Sequence, residues 1–388
     1  ASTTVTFGGS TKTTGLAPGM PVSGTSIAAS TTISTVDSAT QITLSANSTG
    51  AVSGGSLIFS DLTRITHING SDTLSNSDAM MSIATGTGGG HVLFNARRYM
   101  GTGEAGRQLT DYGFQPDLIW AKERVGTDYP QLHDSVRGTA GGALYSNDTS
   151  AQVPSINIIP IIPDGFGITA ATAINQETIP QIAWGWKAGG VPSANGKRRE
   201  NDSPTEISLT VGSISDTTYH TDISLVKQSV NSAGDFSITQ YTSGTYNSVH
   251  LCHGLSGIPN MVIVKCSSAV KAWPVWHSSF SSTTQNYLML NAADAIASHA
   301  DMWDNAGPTA TSVRLKDHSY VQGGTFIMYA WKAVAGVSAF GGYTGTAASH
   351  DISTGFAARY VMVKRTDSSH GWGVFDSFRG QGKAIFIN

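Results

Sequence analysis

Three stretches of this chain read as one strand entered from one turn, and that repetition constrains the fold more than any other feature. They are Gly113-Phe114-Gln115-Pro116-Asp117-Leu118-Ile119-Trp120-Ala121-Lys122, Gly257-Ile258-Pro259-Asn260-Met261-Val262-Ile263-Val264-Lys265 and Gly355-Phe356-Ala357-Ala358-Arg359-Tyr360-Val361-Met362-Val363-Lys364. Each has a Gly, then an apolar run closed by Lys. The flanks keep step. Tyr99, Tyr241 and Tyr343 precede these lysines by 23, 24 and 21 residues, and Asp134, His277 and Asp376 each follow by 12. Asp134-Ser135-Val136-Arg137-Gly138 and Asp376-Ser377-Phe378-Arg379-Gly380 are one motif, of which His277-Ser278-Ser279-Phe280 is a degraded copy. Trp184-Gly185-Trp186-Lys187-Ala188 matches Tyr329-Ala330-Trp331-Lys332-Ala333, with Trp186 and Trp331 lying 64 and 66 residues beyond Lys122 and Lys265.

The chain therefore divides into two full units, 95–190 and 233–335, and the start of a third at 336–388. A polar segment, 191–232, separates the first two and reads as an inserted strand pair or a linker. Residues 1–60 form a small β-module of their own, with strand candidates at Thr4-Val5-Thr6-Phe7, Ile33, Gln41-Ile42-Thr43-Leu44 and Leu57-Ile58-Phe59. A polar linker, 61–94, follows, with Gly86 to Gly90 as a flexible loop. Units near 100 residues, with short strands every 8–12 residues or so, fit a β-sandwich. The expected fold is all-β: tandem β-sandwich, jelly-roll-like units behind an N-terminal module. The apolar runs at Leu118–Trp120, Met261–Val264 and Tyr360–Val363 are expected to be buried on both faces. The chain opens in a Thr-rich stretch and stops on Phe386-Ile387-Asn388, which reads as a piece of a longer polypeptide.

Composition agrees with this reading. Charged residues make up 13% of the chain, against about 25% in an average soluble domain. Ser, Thr, Asn and 44 Gly take their place, a mixture suited to strands and turns. A net charge of −3 gives no electrostatic footprint for nucleic acid. The run Lys197-Arg198-Arg199-Glu200 neutralises itself and reads as a solvated loop. No apolar stretch approaches the roughly 18 residues of a membrane-spanning helix. Cys252 and Cys266 fall on segments expected to be neighbouring strands, where a disulfide and two buried thiols both remain open.

The motifs offer few reactive groups. Asp134 or Asp376 could serve a glycosidase pair, but no partner carboxylate recurs with them. As a turn, Asp caps through its side chain, Ser adds a second bond, Gly takes a left-handed conformation, and Arg pairs with the Asp or covers an aromatic ring. The structural reading of Asp134, Ser135, Arg137, Gly138 and of Asp376, Ser377, Arg379, Gly380 is preferred, because a catalytic group copied into every unit would not be lost to His277. Trp120, Trp184, Trp186 and Trp331 sit at repeated positions and suit packing. Trp273, Trp276 and Trp372 lie in the loops after the Lys strands. They are candidate glycan-stacking residues, with core packing as the rival. His250, Cys252 and His253 make a weak metal cluster, since on a strand 253 points away from the other two.

Taken in order, Gly-Phe-x-Pro-Asp-Leu-Ile-Trp-x-Lys, Asp-Ser-Val-Arg-Gly, Asp164-Gly165-Phe166 and Ala-Trp-x-Trp-Lys-Ala-Gly-Gly resemble a family of phage structural proteins from marine and cyanobacterial phages. The second unit resembles it from His253-Gly254-Leu255 to Lys332, including Trp303-Asp304-Asn305, and the third piece from Phe340-Gly341-Gly342-Tyr343 to Gly380. The resemblance spans about 95–388. It implies a virion-surface structural protein, a tail fibre or appendage used in host attachment, and it carries over no catalytic residue, metal or cofactor. It implies a homo-oligomer, a trimer by analogy, in contact with other virion proteins and with a host cell-surface glycan or protein. A capsid decoration or head-fibre protein, a surface polysaccharide depolymerase and a bacterial adhesin are the rival readings.

Overall fold

The computed structural model describes residues 3–6, 22–24, 26–28, 31–49, 57–60, 65–68, 94–138, 141–154, 158–168, 173–200, 205–208, 223–231, 233–244, 248–345, 351–380 and 383–388. The chain forms two compact units, 1–92 and 93–388. No α-helix occurs among the described residues, and the protein is all-β, as its composition requires.

The first unit holds two three-stranded antiparallel sheets. One has β1 (Thr4–Thr6) and β3 (Ile33–Ser38) either side of β4 (Gln41–Leu44); the other has β2 (Val22–Gly24) and β6 (Ile65–Ile68) either side of β5 (Leu57–Ser60). Alternation on β4 puts Ile42 and Leu44 into a small core with Val5, Val22 and Ile33. The stretch expected to be linker thus contributes a strand at Ile65–Ile68. The Gly86–Gly90 loop lies outside the described residues.

In the second unit, the repeats in the sequence become repeats in topology. The first main sheet is built from β7 (Phe94–Met100), β9 (Leu118–Glu123), β10 (Gln131–Asp134), β11 (Leu144–Tyr145) and β14 (Pro180–Trp186), in the order β11-β10-β9-β14-β7. On it lies a small sheet of β8 (Arg107–Leu109), β12 (Ile158–Ile162) and β13 (Gly165–Ile168). The second unit repeats the pattern. Strands β18 (Phe236–Ser243), β20 (Met261–Cys266), β21 (Pro274–His277), β22 (Asn286–Met289) and β25 (Gly324–Trp331) run in the order β22-β21-β20-β25-β18, under a two-stranded antiparallel sheet of β19 (Ser248–Cys252) and β24 (Ser312–Lys316). Register repeats as well: Leu118 faces Asp134 and Trp186, and Met261 faces His277 and Trp331.

Three strands within the expected insert extend the second main sheet. They are β15 (Lys197–Glu200), β16 (Ile207–Ser208) and β17 (Ile223–Val230), and the short β23 (Ala297–Ser298) closes the far edge. The Lys197–Glu200 run is therefore a strand, parallel to β17, and not a loop. Alternate residues there meet different partners, so a charged run can still form a ladder. The third piece supplies β26 (Tyr360–Val363), β27 (Gly373–Asp376) and β28 (Ile385–Phe386), with Tyr360 opposite Asp376 in the same register.

Two buried layers hold this unit together. The inner faces of all three main sheets meet in one core that joins Trp120, Leu132 and Trp184 to Ile263, Trp273 and Tyr329 and to Trp372, Val374 and Ile387. A second core lies between the second main sheet and the two-stranded sheet over it, with Val262, Val264 and Trp276 against Val249, Leu251, Val313 and Leu315. Strand β20 lies between these two cores and is buried on both faces, and β9 is likewise buried along its length. β26, expected to match them, is half-exposed.

Candidate functional site

The Asp-Ser-x-Arg-Gly turns lie at the seams between units, with their Asp and Arg side chains buried. In the first, the Asp134 carboxylate accepts the Arg137 backbone N–H at 2.8 Å and its Nε at 2.6 Å. Arg137 also donates to the carbonyls of Leu132, Gly141 and Gly142. Gly138 closes the turn at φ 68°, a left-handed value that favours Gly. The Tyr329 hydroxyl, on β25 of the second unit, donates to Asp134 Oδ2 at 2.8 Å. Burial alone would lower the Arg137 pKa, but Asp134 and Tyr329 outweigh it and raise it.

The third piece repeats this on another neighbour. Asp376 accepts from Arg379 N at 2.9 Å and Nε at 2.6 Å, and from the Trp184 indole Nε1 of the first unit at 3.1 Å. The Arg379 guanidinium lies 5.9 Å from the centre of the Trp184 ring. Trp184 and Tyr329 occupy the same position of their units, so one turn grips one strand position at two seams. In both pairs the side chains are almost wholly buried. A carboxylate so enclosed is turned toward its protein partners and away from solvent.

At the third seam the chemistry changes. His277 Nδ1 accepts the Ser279 N–H at 3.1 Å, which keeps the turn, while Phe280 stands where Arg137 and Arg379 stand. The His277 ring lies 6.0 Å from Phe340, at the entry to the third piece. Burial lowers its pKa to about 4, so the ring is neutral near pH 7. The same turn is thus ionic twice and aromatic once.

The loop tryptophans do not present faces to a sugar, which corrects the glycan-stacking expectation. Trp273, Trp276 and Trp372 are 0%, 3% and 4% exposed. Their indole N–H groups donate to the carbonyls of Asp148, Thr283 and Met289. Two of those bonds cross seams: Trp273 reaches back into the first unit, and Trp372 into the second. Trp120, Trp184, Trp186 and Trp331 also lie at the junctions, with Trp186 6.3 Å from Trp331 and 5.4 Å from Tyr360.

Two ties escaped the sequence. The strand-closing lysines reach into the preceding unit: Lys265 Nζ donates to Thr149 O at 2.8 Å, and Lys364 Nζ to Ala293 O at 3.0 Å. Burial lowers the Lys265 pKa to about 8. The residue before each apolar run grips the Trp-Lys-Ala turn: Asp117 Oδ2 accepts from Ala188 N at 2.8 Å, and Asn260 Oδ1 from Ala333 N at 2.7 Å. The repeat of these positions was visible in the sequence. Their partners, scores of residues away, were not.

The cysteines and histidines are dispersed. Cys252 and Cys266 are free, and their strands lie in different sheets rather than side by side. His253 bonds Thr309 O and Leu255 N, and no group of three metal-ligating side chains occurs among the described residues. An open cleft of about 440 Å³ lies between the first unit and the third piece, lined by Arg124, Val125, Pro180, Arg379, Lys383 and Ile385.

Fold and seams together define an all-β protein in which repeated units are welded about one core by buried polar turns. The chain belongs to a family known as a domain of unknown function, DUF7483, which matches residues 90–385. Neither the curated proteins nor the solved structures contain a match.

Proposed function

We propose that this protein is a structural component of a phage virion, a tail fibre or appendage that serves in host-surface adsorption. The motif order between Gly113 and Gly380 supports the virion assignment through its resemblance to phage structural proteins. The observation that carries the mechanical part of the reading is the double use of the Asp-Arg turn. The two carboxylates best placed for chemistry by sequence, Asp134 and Asp376, are buried and bonded to Tyr329 and Trp184 of neighbouring units. Side chains so placed hold a scaffold together. A body with shared cores and tied seams resists local opening, which suits a part exposed to proteases and shear.

Immunogold labelling of intact particles with antibody against residues 93–388 tests the assignment. Gold on tail appendages is the expected result, and purified protein should slow adsorption of the particles to host cells. Gold on the capsid would move the protein to the head, and particles without label would overturn the virion reading.

A further inference from the structure

The solvent edge of the second core carries four polar rings in one group. The ring of His318, in the loop after β24, is centred 4.8 Å from His299, 4.7 Å from Tyr320 and 6.2 Å from Tyr287 on β22. Tyr287 and Tyr320 are half-buried against the core, and His299 is exposed. The repeat does not require such a group. Leu288 pairs with Val275 as Leu144 pairs with Leu132 and Ile385 with Val374, so Tyr287 stands where the other two main sheets have Ala143 and Ala384.

The polar atoms of the rings are unspent. His299 Nδ1 accepts the Asp301 N–H at 3.1 Å, and His318 Nδ1 accepts the Tyr320 N–H at 3.2 Å. Each ring, when neutral, therefore carries its proton on Nε2. Burial, with His299 beside it, lowers the His318 pKa, which keeps that ring neutral near pH 7. Among the described residues, neither Nε2 nor either tyrosine hydroxyl has a bonding partner. Two carboxylates border the rings: Asp301, 3.1 Å from Lys316 Nζ, and the exposed Asp317, which accepts from Gln322. The nearby cations are engaged. Lys271 Nζ donates to the carbonyls of Ser319 and Gln322. Lys316 is held above its ordinary pKa by its bond to Asp301, with Asp304 and Asp317 adding to the effect. Acid is thus in excess around the rings.

We propose that this ring group is a binding subsite for a neutral pyranose of a cell-surface glycan. The rings of Tyr287, His318 and Tyr320 suit the C–H face of a sugar ring. Two imidazole N–H donors, two phenols and the carboxylates of Asp301 and Asp317 suit its hydroxyls. A sugar acid is disfavoured, because its carboxylate would meet the acidic border. The loop tryptophans are too deeply buried for this work, whereas these rings lie at the surface. The role of the subsite in attachment rests on the adsorption reading above; the sugar binding itself does not.

Saturation-transfer NMR on the intact protein tests this, with the methyl glycosides of glucose, galactose and mannose and with methyl glucuronide as probes. At least one neutral glycoside should receive saturation at its ring C–H protons, and the glucuronide should receive none. Tyr287→Ala installs the residue of the other two sheets, and His299→Ala alters an exposed position, so both variants should keep the wild-type circular dichroism. Each should raise the Kd by about tenfold, the loss of one aromatic contact. Absence of transfer to all three neutral glycosides would overturn the proposal. So would tighter binding of the glucuronide, or binding unchanged in both variants. Sugar binding by a protein that labels no particle would strike the adsorption reading and leave the subsite standing; labelled particles with no sugar binding would do the reverse.

Discussion

The first and second units place the same turn at matching seams and fill it with opposite chemistry. At Asp134 the turn holds a buried ion pair, with Arg137 bonded to the carboxylate and to three carbonyls. At His277 a neutral imidazole and Phe280 do the same geometric work. In both, the following Ser donates its N–H to the residue before the Lys strand: Ser135 to Asp117 O at 2.8 Å and Ser278 to Asn260 O at 2.9 Å. The backbone of the turn is thus independent of the charges. A buried pair need not add net stability over apolar packing, but half of one is costly. The ionic version instead fixes direction, since Asp134 accepts one defined hydroxyl and Asp376 one defined indole.

The sharpest way to break the comparison is to split the pair. Arg137→Met leaves Asp134 buried without its counter-charge and should cost about 3–5 kcal/mol in urea unfolding. Copying the aromatic version, with Asp134→His and Arg137→Phe together, should cost less than Arg137→Met alone. If the double variant is the worse of the two, the two chemistries are not interchangeable.

Tyr329→Phe removes one bond to a charged acceptor and leaves the ion pair intact, so about 1.5–3 kcal/mol is expected from the same assay. An effect of at least similar size follows from pH. Burial holds His277 at about 4 and His133 at about 3, below the ordinary 6.5 of the unfolded chain. The folded state therefore binds fewer protons than the unfolded one below about pH 6.5, and stability should fall as pH drops from there toward 4. His277→Asn should flatten part of that slope, while Asp367→Asn leaves it in place. Smallest of all, Asp367→Asn breaks the exposed pair with Arg365 and should leave the melting temperature unchanged.

Much of this was legible in the sequence because strand register is periodic and local. The three lysine strands, the 12-residue step to Asp134, His277 and Asp376, and the all-β class all follow from spacing and alternation. The shared core does not, because Trp120, Ile263 and Val374 read as ordinary strand residues whichever sheet they face. The loop tryptophans misled for a related reason. An aromatic residue just after a strand serves equally well as a sugar platform or as a seam plug, and only the opposite wall, Asp148 O or Met289 O, decides between them. An inserted strand pair was one reading of 191–232, but β15 itself read as a loop because its pairing is set by a backbone ladder, not by an apolar stripe.

The central claim is that the seams make residues 93–388 one cooperative body. Native-state hydrogen exchange in rising urea tests it most directly, followed at amides of β9, β20 and β27. The account predicts that all three converge on one global opening, and that Tyr329→Phe lowers that opening equally at each. Opening of the first unit while β20 stays protected would contradict it.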